Sequence, residues 1–297
     1  MAVGEETDIS EDVIEAISSL GNRHRLEMVL ALDKVEQEHQ KPRHTMSFSE
    51  LYEVVSIDST SQFSYHLNQL IDHFITETPE GYRLTYSGNK IARVILSGMY
   101  ESAADFHDLS VAGSCIFCAE SALIATVEEE LFRIRCDACD AILVTDFIPK
   151  SQSAGRTVEA IAESYGYRIW SMALQLRGGV CPECFGVVDT NVDVYEQHGS
   201  SHPIQVHRCR ECKFVITLPI ELSVAFHPAV IYWFWKHDLP LLDIPLWEFF
   251  DYIVSDVIST EVISDDPISI SFEISVENQQ LTLVMADTGA LSLHSGG

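Results

Sequence analysis

The chain has 297 residues, 46% of them hydrophobic, which is enough for two or three cored domains and too apolar for a disordered acidic tail. Lys and Arg number 18 against 45 Asp and Glu, a formal net charge of −27, so in dilute salt the chain is expected to be a poor DNA ligand through phosphate neutralisation. The longest strongly apolar run, AVIYWFW at 229–235, is far short of a membrane span, and no membrane partner is expected.

The acid is scattered through the chain, and Lys236 is the one Lys or Arg from 221 to 297. Acid spread over folded domains with scarce Lys suits a cytosol holding molar salt, where the Debye length falls to about 3 Å and self-repulsion costs little; the alternative is an ordinary acidic protein. The opening MAVGEETDIS is acidic and has neither the basic region nor the apolar core of a signal peptide, so a cytoplasmic protein with a flexible segment over 1–11 is expected.

From residue 12 the spacing predicts helices. Val13, Ile14, Ile17 and Leu20, then Leu26, Val29, Leu30 and Leu32, recur with helical period, broken at Gly21-Asn22. SFSELYEVV opens on a capping box, Ser47 with Glu50, and SIDS makes a turn. STSQFSYHLNQLIDHF (59–74) then starts on a second capping-box pattern, Ser59 with Gln62. Its apolar face holds Phe63, Leu67, Leu70, Ile71 and Phe74. Ser61, Gln62, Tyr65, Asn68 and Asp72 lie opposite, with Gln69 on the flank. FITETPEGYRLTYSG reads as two short strands around Pro79-Glu80-Gly81. Helix, short helix, turn, helix and β-wing define a winged helix-turn-helix.

SSLGNRHRLEMVLALDK, FSELYEVV, SQFSYHLNQLIDHFI and GYRLTYSGNKIARVIL together resemble the ArsR-type winged-helix regulators over residues 12–98. The whole layout is similar to acidic ArsR-like proteins of halophilic archaea. The resemblance implies that Ser61, Gln62, Tyr65, Asn68 and Gln69 read double-stranded DNA, with Arg83 on the wing near phosphates. It also implies a homodimer paired through the helix that KIARVILSGMYESAADFHDL (90–109) continues. Many members sense metals through cysteines in or near the reading helix; this segment has none. SVAGS at 110–114 reads as a linker.

All eight cysteines fall into C-x-x-C pairs: Cys115/Cys118, Cys136/Cys139, Cys181/Cys184 and Cys209/Cys212. Two such knuckles across a hairpin complete a tetrahedral thiolate cage, so two structural Zn²⁺ ions are expected. Disulfides do not suit a reducing cytosol, a thioredoxin-like pair needs one motif opening a helix, and an iron–sulfur cluster is the remaining alternative. Four thiolates leave no open position for an activated water. His207 is expected on the hairpin strand and not in the cage, and Gly186 is expected to ease the knuckle turn.

CDACDAILVTDFIP and CRECKFVITLP each run into an apolar strand, then into a helical stretch at 157–176 and 227–239. This predicts two ribbon-plus-helix units in tandem, over 115–178 and 179–240. In the closing segment, 241–297, PLLDIPLWEFFDYIVSDVI is helical. PISISFEISV (267–276) alternates like a strand buried on one face, and a small antiparallel sheet is expected. Tyr232, Trp233, Trp235, Trp247, Phe249 and Phe250 are either core or the lining of a pocket for a small-molecule effector.

The expected class is therefore α+β: a winged helix-turn-helix with a trailing dimerisation helix (12–109), two zinc ribbons and a C-terminal sheet packed on helices. The expected function is a DNA-binding transcriptional regulator. The alternative is an interaction adaptor of the transcription machinery, a layout resembling archaeal transcription factor E, which has one ribbon where this chain has two. A redox switch acting through thiolate oxidation is a third reading. An enzyme is not expected, since no nucleophile elbow, P-loop, dinucleotide fingerprint or open metal site occurs.

Overall fold

The computed structural model describes residues 9–40, 44–197, 200–287 and 289–294. The chain divides into two compact units, 1–101 and 102–297. Both are built from helices and small antiparallel sheets, so the class is α+β. Among the described residues no helix is long and apolar enough to cross a membrane.

The first unit runs α1 (Glu11–Ser19), α2 (Arg23–Glu38), α3 (Phe48–Val54), α4 (Thr60–Asn68), β1 (Ile75–Thr78), β2 (Gly81–Leu84) and α5 (Tyr86–Ser97). The Gly21-Asn22 break separates α1 from α2, because Asn22 Oδ1 accepts from the backbone N–H groups of His24 (2.9 Å) and Arg25 (3.3 Å) and caps α2. The capping box of α3 forms as expected, with Ser47 N–H donating to Glu50 at 2.7 Å. That of α4 does not: Ser59 sits at the cap, but its hydroxyl receives no cap hydrogen bond. Helix α4 also ends at Asn68, not at 74. A turn with left-handed Asp72 (φ 71°) returns the chain, and Leu70 and Phe74 are still buried. Met28, Val29 and Leu32 of α2 meet Leu51, Phe63 and Leu67 in one core, where Phe48 and Tyr52 pack edge-on to Phe63 at 4.9 and 5.2 Å.

A helix over 90–109 is not found. Helix α5 closes at Gly98, whose left-handed φ of 64° terminates it, and 106–111 is a strand of the second unit. Ser110 and Val111, expected in a linker, are the end of that strand.

The second unit begins with β3 (Phe106–Val111), β4 (Leu123–Glu128), β5 (Leu131–Cys136) and β6 (Ile142–Phe147), an antiparallel sheet in that order. A short turn, α6 (Lys150–Ser153), leads into α7 (Val158–Arg177). Strands β7 (Val188–Gln197), β8 (Ser200–Cys209) and β9 (Val215–Pro219) form a three-stranded sheet. Then come α8 (Leu222–Ala225), α9 (Pro228–Lys236), α10 (Leu246–Val254) and the sheet β10 (Ile258–Asp265), β11 (Ile268–Val276), β12 (Gln279–Met285) and β13 (Leu291–His294).

The three segments expected to be separate share a single core. Helix α7 is its axis, burying Ile161, Tyr165, Ile169, Trp170, Met172, Ala173 and Leu176. Tyr165 stacks on Phe132 of the first sheet at 4.2 Å, and Trp170 meets Phe249 of α10 edge-on at 5.6 Å. The Trp170 indole N–H donates to the Ile244 carbonyl at 2.7 Å, so a helix from the first ribbon is satisfied by the C-terminal segment.

Among the described residues of this unit, Glu221 is a buried carboxyl. Glu221 accepts from Thr260 Oγ1 at 2.8 Å, and burial pushes its pKa above the usual 4.5. The unfolded chain ionises near 4.5, so the stabilising contribution of the protonated acid is full below that pH and is lost as pH rises through the folded value. Glu221→Gln keeps the acceptor and removes the charge. It is expected to raise stability by about 1 kcal/mol at pH 8 and to change little at pH 4. Urea midpoints at the two pH values measure this, and equal shifts at both would refute it.

Candidate metal centres and candidate nucleic-acid interface

Each C-x-x-C pair is local in sequence, and the hairpins bring the pairs together. Cys115 and Cys118 precede β4, while Cys136 ends β5 and Cys139 precedes β6. Cys181 and Cys184 precede β7, while Cys209 ends β8 and Cys212 precedes β9. Within each group of four, all sulfurs lie within 4.8 Å of one another. Cross-knuckle separations are 3.7 Å (Cys115–Cys139), 3.6 Å (Cys118–Cys136), 3.6 Å (Cys181–Cys212) and 3.5 Å (Cys184–Cys209). A disulfide needs about 2.05 Å. A tetrahedron with metal–sulfur bonds of about 2.3 Å has edges of about 3.8 Å. The eight cysteines are thus two four-sulfur clusters able to hold two metal ions.

The knuckles share one backbone plan. The N–H of the first cysteine donates to the carbonyl five residues on: Glu120, Ala141, Gly186 and Phe214 in turn. The residue after the second cysteine is left-handed every time: Ala119 (φ 62°), Asp140 (57°), Phe185 (63°) and Lys213 (63°). None is glycine, and each costs about 1 kcal/mol relative to an ordinary conformation. This turn aims N–H groups at sulfur, and Phe117 and Gly186 donate to Cys115 and Cys184, each at 3.4 Å. Gly186 therefore serves differently from expectation. A Cβ there would lie 2.8 Å from the Glu211 side chain and 3.2 Å from Cys184 Sγ, so it permits close approach and does not itself make the left-handed turn.

The clusters differ in their surroundings. Cys115 and Cys136 are buried with Cys118 and Cys139 partly so, whereas Cys184 and Cys212 are exposed. Burial pushes the Cys115 thiol up to about 12, while the Glu120 N–H holds the Cys118 thiol below its usual value. His207 lies on β8, as expected, with Nδ1 2.8 Å from Thr190 Oγ1. Burial lowers its pKa to about 4, leaving it neutral.

In the first unit, α4 buries Phe63 and Leu67 and leaves Ser61, Gln62, Tyr65, Asn68 and Gln69 exposed on the other side. Tyr65 is 59% exposed. Arg83, on β2 opposite Thr76, is half-buried. His66 has a lowered pKa, through burial first and then the neighbouring Arg25 and His24, and α4 holds no Lys or Arg.

Residues 112–291, more than half of the chain, match the family model described as Domain of unknown function (DUF7351). The chain belongs to the DUF7351 family. Residues 13–95, within the first unit, match a second model, Domain of unknown function (DUF7347). No curated protein matches the chain, and no solved structure does. Both four-cysteine clusters fall inside the DUF7351 match, and the exposed face of α4 falls inside the DUF7347 match.

The six aromatics of the DUF7351 region do not share one environment. Trp247, Phe249 and Phe250 are solid core, while Tyr232 and Trp235 are 59% and 74% exposed. A cleft of about 450 Å³ lies elsewhere, between Arg177, Thr190, Leu218 and Leu222, and none of the six aromatics lines it. Three of the six aromatics are thus core, as one of the two readings had it, and two are on the surface.

Proposed function

We propose that this DUF7351 protein is a DNA-binding transcriptional regulator that acts as a homodimer in the cytoplasm and carries two structural Zn²⁺ ions. The carrying observation is the exposed, uncharged face of α4, mounted on a core through Phe63 and Leu67. The succession α2, α3, α4, hairpin, α5 supports a winged helix-turn-helix, with α4 in the major groove and the β1–β2 wing carrying Arg83 beside the backbone.

Residues 12–90 hold 7 Lys/Arg against 12 Asp/Glu, a poor composition for binding through counterion release. In molar salt that contribution is lost to every protein, and hydrogen bonding remains: Asn68, Gln62 and Gln69 offer the paired donor and acceptor that adenine takes. Exposed Val13, Ile14 and Ile17 on α1, and Leu96, Met99 and Tyr100 at the end of α5, supply apolar surface for pairing two copies. All-thiolate ligation, closed knuckles and sulfur spacing near 3.8 Å favour zinc in a scaffolding role.

The test is retardation of the protein's own promoter fragment in molar KCl. Tyr65→Ala with Asn68→Ala is expected to weaken binding about 100-fold, with the melting temperature unchanged because both side chains are exposed. The same apolar surface on α1 and α5 favours the adaptor of the transcription machinery as second reading. That adaptor would ignore every duplex in a randomised pool.

A further inference from the structure

The cleft of about 450 Å³ in the second unit lies between the last turns of α7, one face of the β7–β9 sheet and the start of α9. Alternation puts Gln205 and His207 on the same face of β8. The registers Thr190↔His207 and Gln205↔Leu218 set Thr190 and Leu218 beside them. Leu176 of α7, Leu218 and Leu222 supply apolar wall.

The polar groups on this wall include a cation and neutral donors. Arg177 Nη1 donates to the Phe226 carbonyl at 2.5 Å, which anchors one arm of the guanidinium. Its other N–H groups have no protein partner among the described residues, and no carboxylate there pairs with it. His227 caps α9 through Nδ1, which accepts from Ala229 N–H at 3.2 Å. Burial first, then the neighbouring Arg177, lowers its pKa and keeps it neutral. A neutral imidazole that accepts at Nδ1 carries its proton on Nε2, so His227 offers a donor. His207, only 3% exposed, is held at Nδ1 by Thr190 Oγ1, and its Nε2 has no hydrogen-bond partner among the described residues. Buried polar atoms are rarely left so.

Among the described residues no Asp or Glu lines the cleft, in a chain that has 45 of them. A cationic or amine ligand would meet Arg177 with nothing to offset it. An inorganic anion would satisfy the guanidinium and leave the leucine wall unused. A hydrocarbon would do the reverse.

We infer that this cleft binds a small organic carboxylate. Its anionic end pairs with Arg177 and the His227 Nε2–H, and its apolar body of about six to ten carbons lies against Leu176, Leu218 and Leu222. A guanidinium with one arm anchored presents its remaining N–H groups as a planar fork, which matches two carboxylate oxygens. The inference is independent of DNA binding and of the bound metal.

The probe is octanoate, titrated into the full chain in molar KCl and followed by isothermal titration calorimetry. Saturable binding is expected, about tenfold weaker for Arg177→Gln and for His227→Asn. Gln can still donate to the Phe226 carbonyl and Asn can still cap α9, so both variants are expected to keep the melting temperature. Should one of them lose it, the other carries the comparison. Octanol and acetate are each expected to bind about tenfold more weakly than octanoate, or worse. Equal binding of octanol overturns the anionic assignment. Equal binding of acetate, or displacement of octanoate by equimolar inorganic phosphate, overturns the apolar body. No saturable binding of octanoate, or unchanged binding in the folded variants, overturns the site.

Discussion

Serine at Cys136 or at Cys209 is expected to cost the second unit about 4 kcal/mol or more, a fall in Tm of about 8–16 °C for a unit of this size. The reason lies in where these sulfurs sit. Cys136 and Cys209 are buried members of the core that also contains α7, α10 and the C-terminal sheet. Loss of one ligand opens the cage, releases two knuckles that each hold a residue in the left-handed region, and unseats the strands they terminate. Both substitutions should therefore lower one and the same transition. All four tryptophans, Trp170, Trp233, Trp235 and Trp247, belong to this unit, so indole fluorescence follows it without interference. Metal analysis is expected to show two Zn²⁺ per chain, with a chelator reproducing the mutants. Two separate fluorescence transitions, or an unchanged Tm after metal removal, would contradict the shared core's dependence on both clusters.

Gly88→Ala is expected to destabilise the first unit by about 2–3 kcal/mol, against the sign that helix propensity predicts. Gly88 lies in the first turn of α5, where alanine would ordinarily gain about 1 kcal/mol. A Cβ at this position would collide with the carbonyl of Phe74, which is backbone and cannot rotate away. Thr85 ties the same corner, donating to the His73 carbonyl at 2.9 Å and accepting from Gly88 N–H at 3.0 Å. The helix thus enters directly on the hairpin, and the clash outweighs the propensity. Gly21→Ala is the control: its nearest contact would be an ordinary 3.4 Å, and its effect is expected to stay within about 0.5 kcal/mol. Chemical denaturation followed by far-ultraviolet circular dichroism compares the two, and a stabilised Gly88→Ala would refute the close approach.

What the sequence alone determined was local. The spacing of eight cysteines specified two four-sulfur clusters, because a knuckle is made within six residues and a hairpin suffices to join two. The Ser47–Glu50 cap, the turn at Pro79-Glu80-Gly81, the length of α7 and the period-two strand at 268–276 were legible for the same reason. So was the exposed face of α4, since burying Phe63 and Leu67 leaves the opposite residues outside. The tertiary structure decided the rest. Helix α5 stops at Gly98, and 106–111 pairs with β4, because a neighbouring strand edge offers that segment more than helical propensity does. Ser59 leaves its cap unmade while Thr85 and Asn22 make theirs. Glu221 is buried only because β10 brings Thr260 across thirty-nine positions to meet it. Three segments that read as separate units merged around α7, since no one of them carries enough apolar surface to close a core by itself.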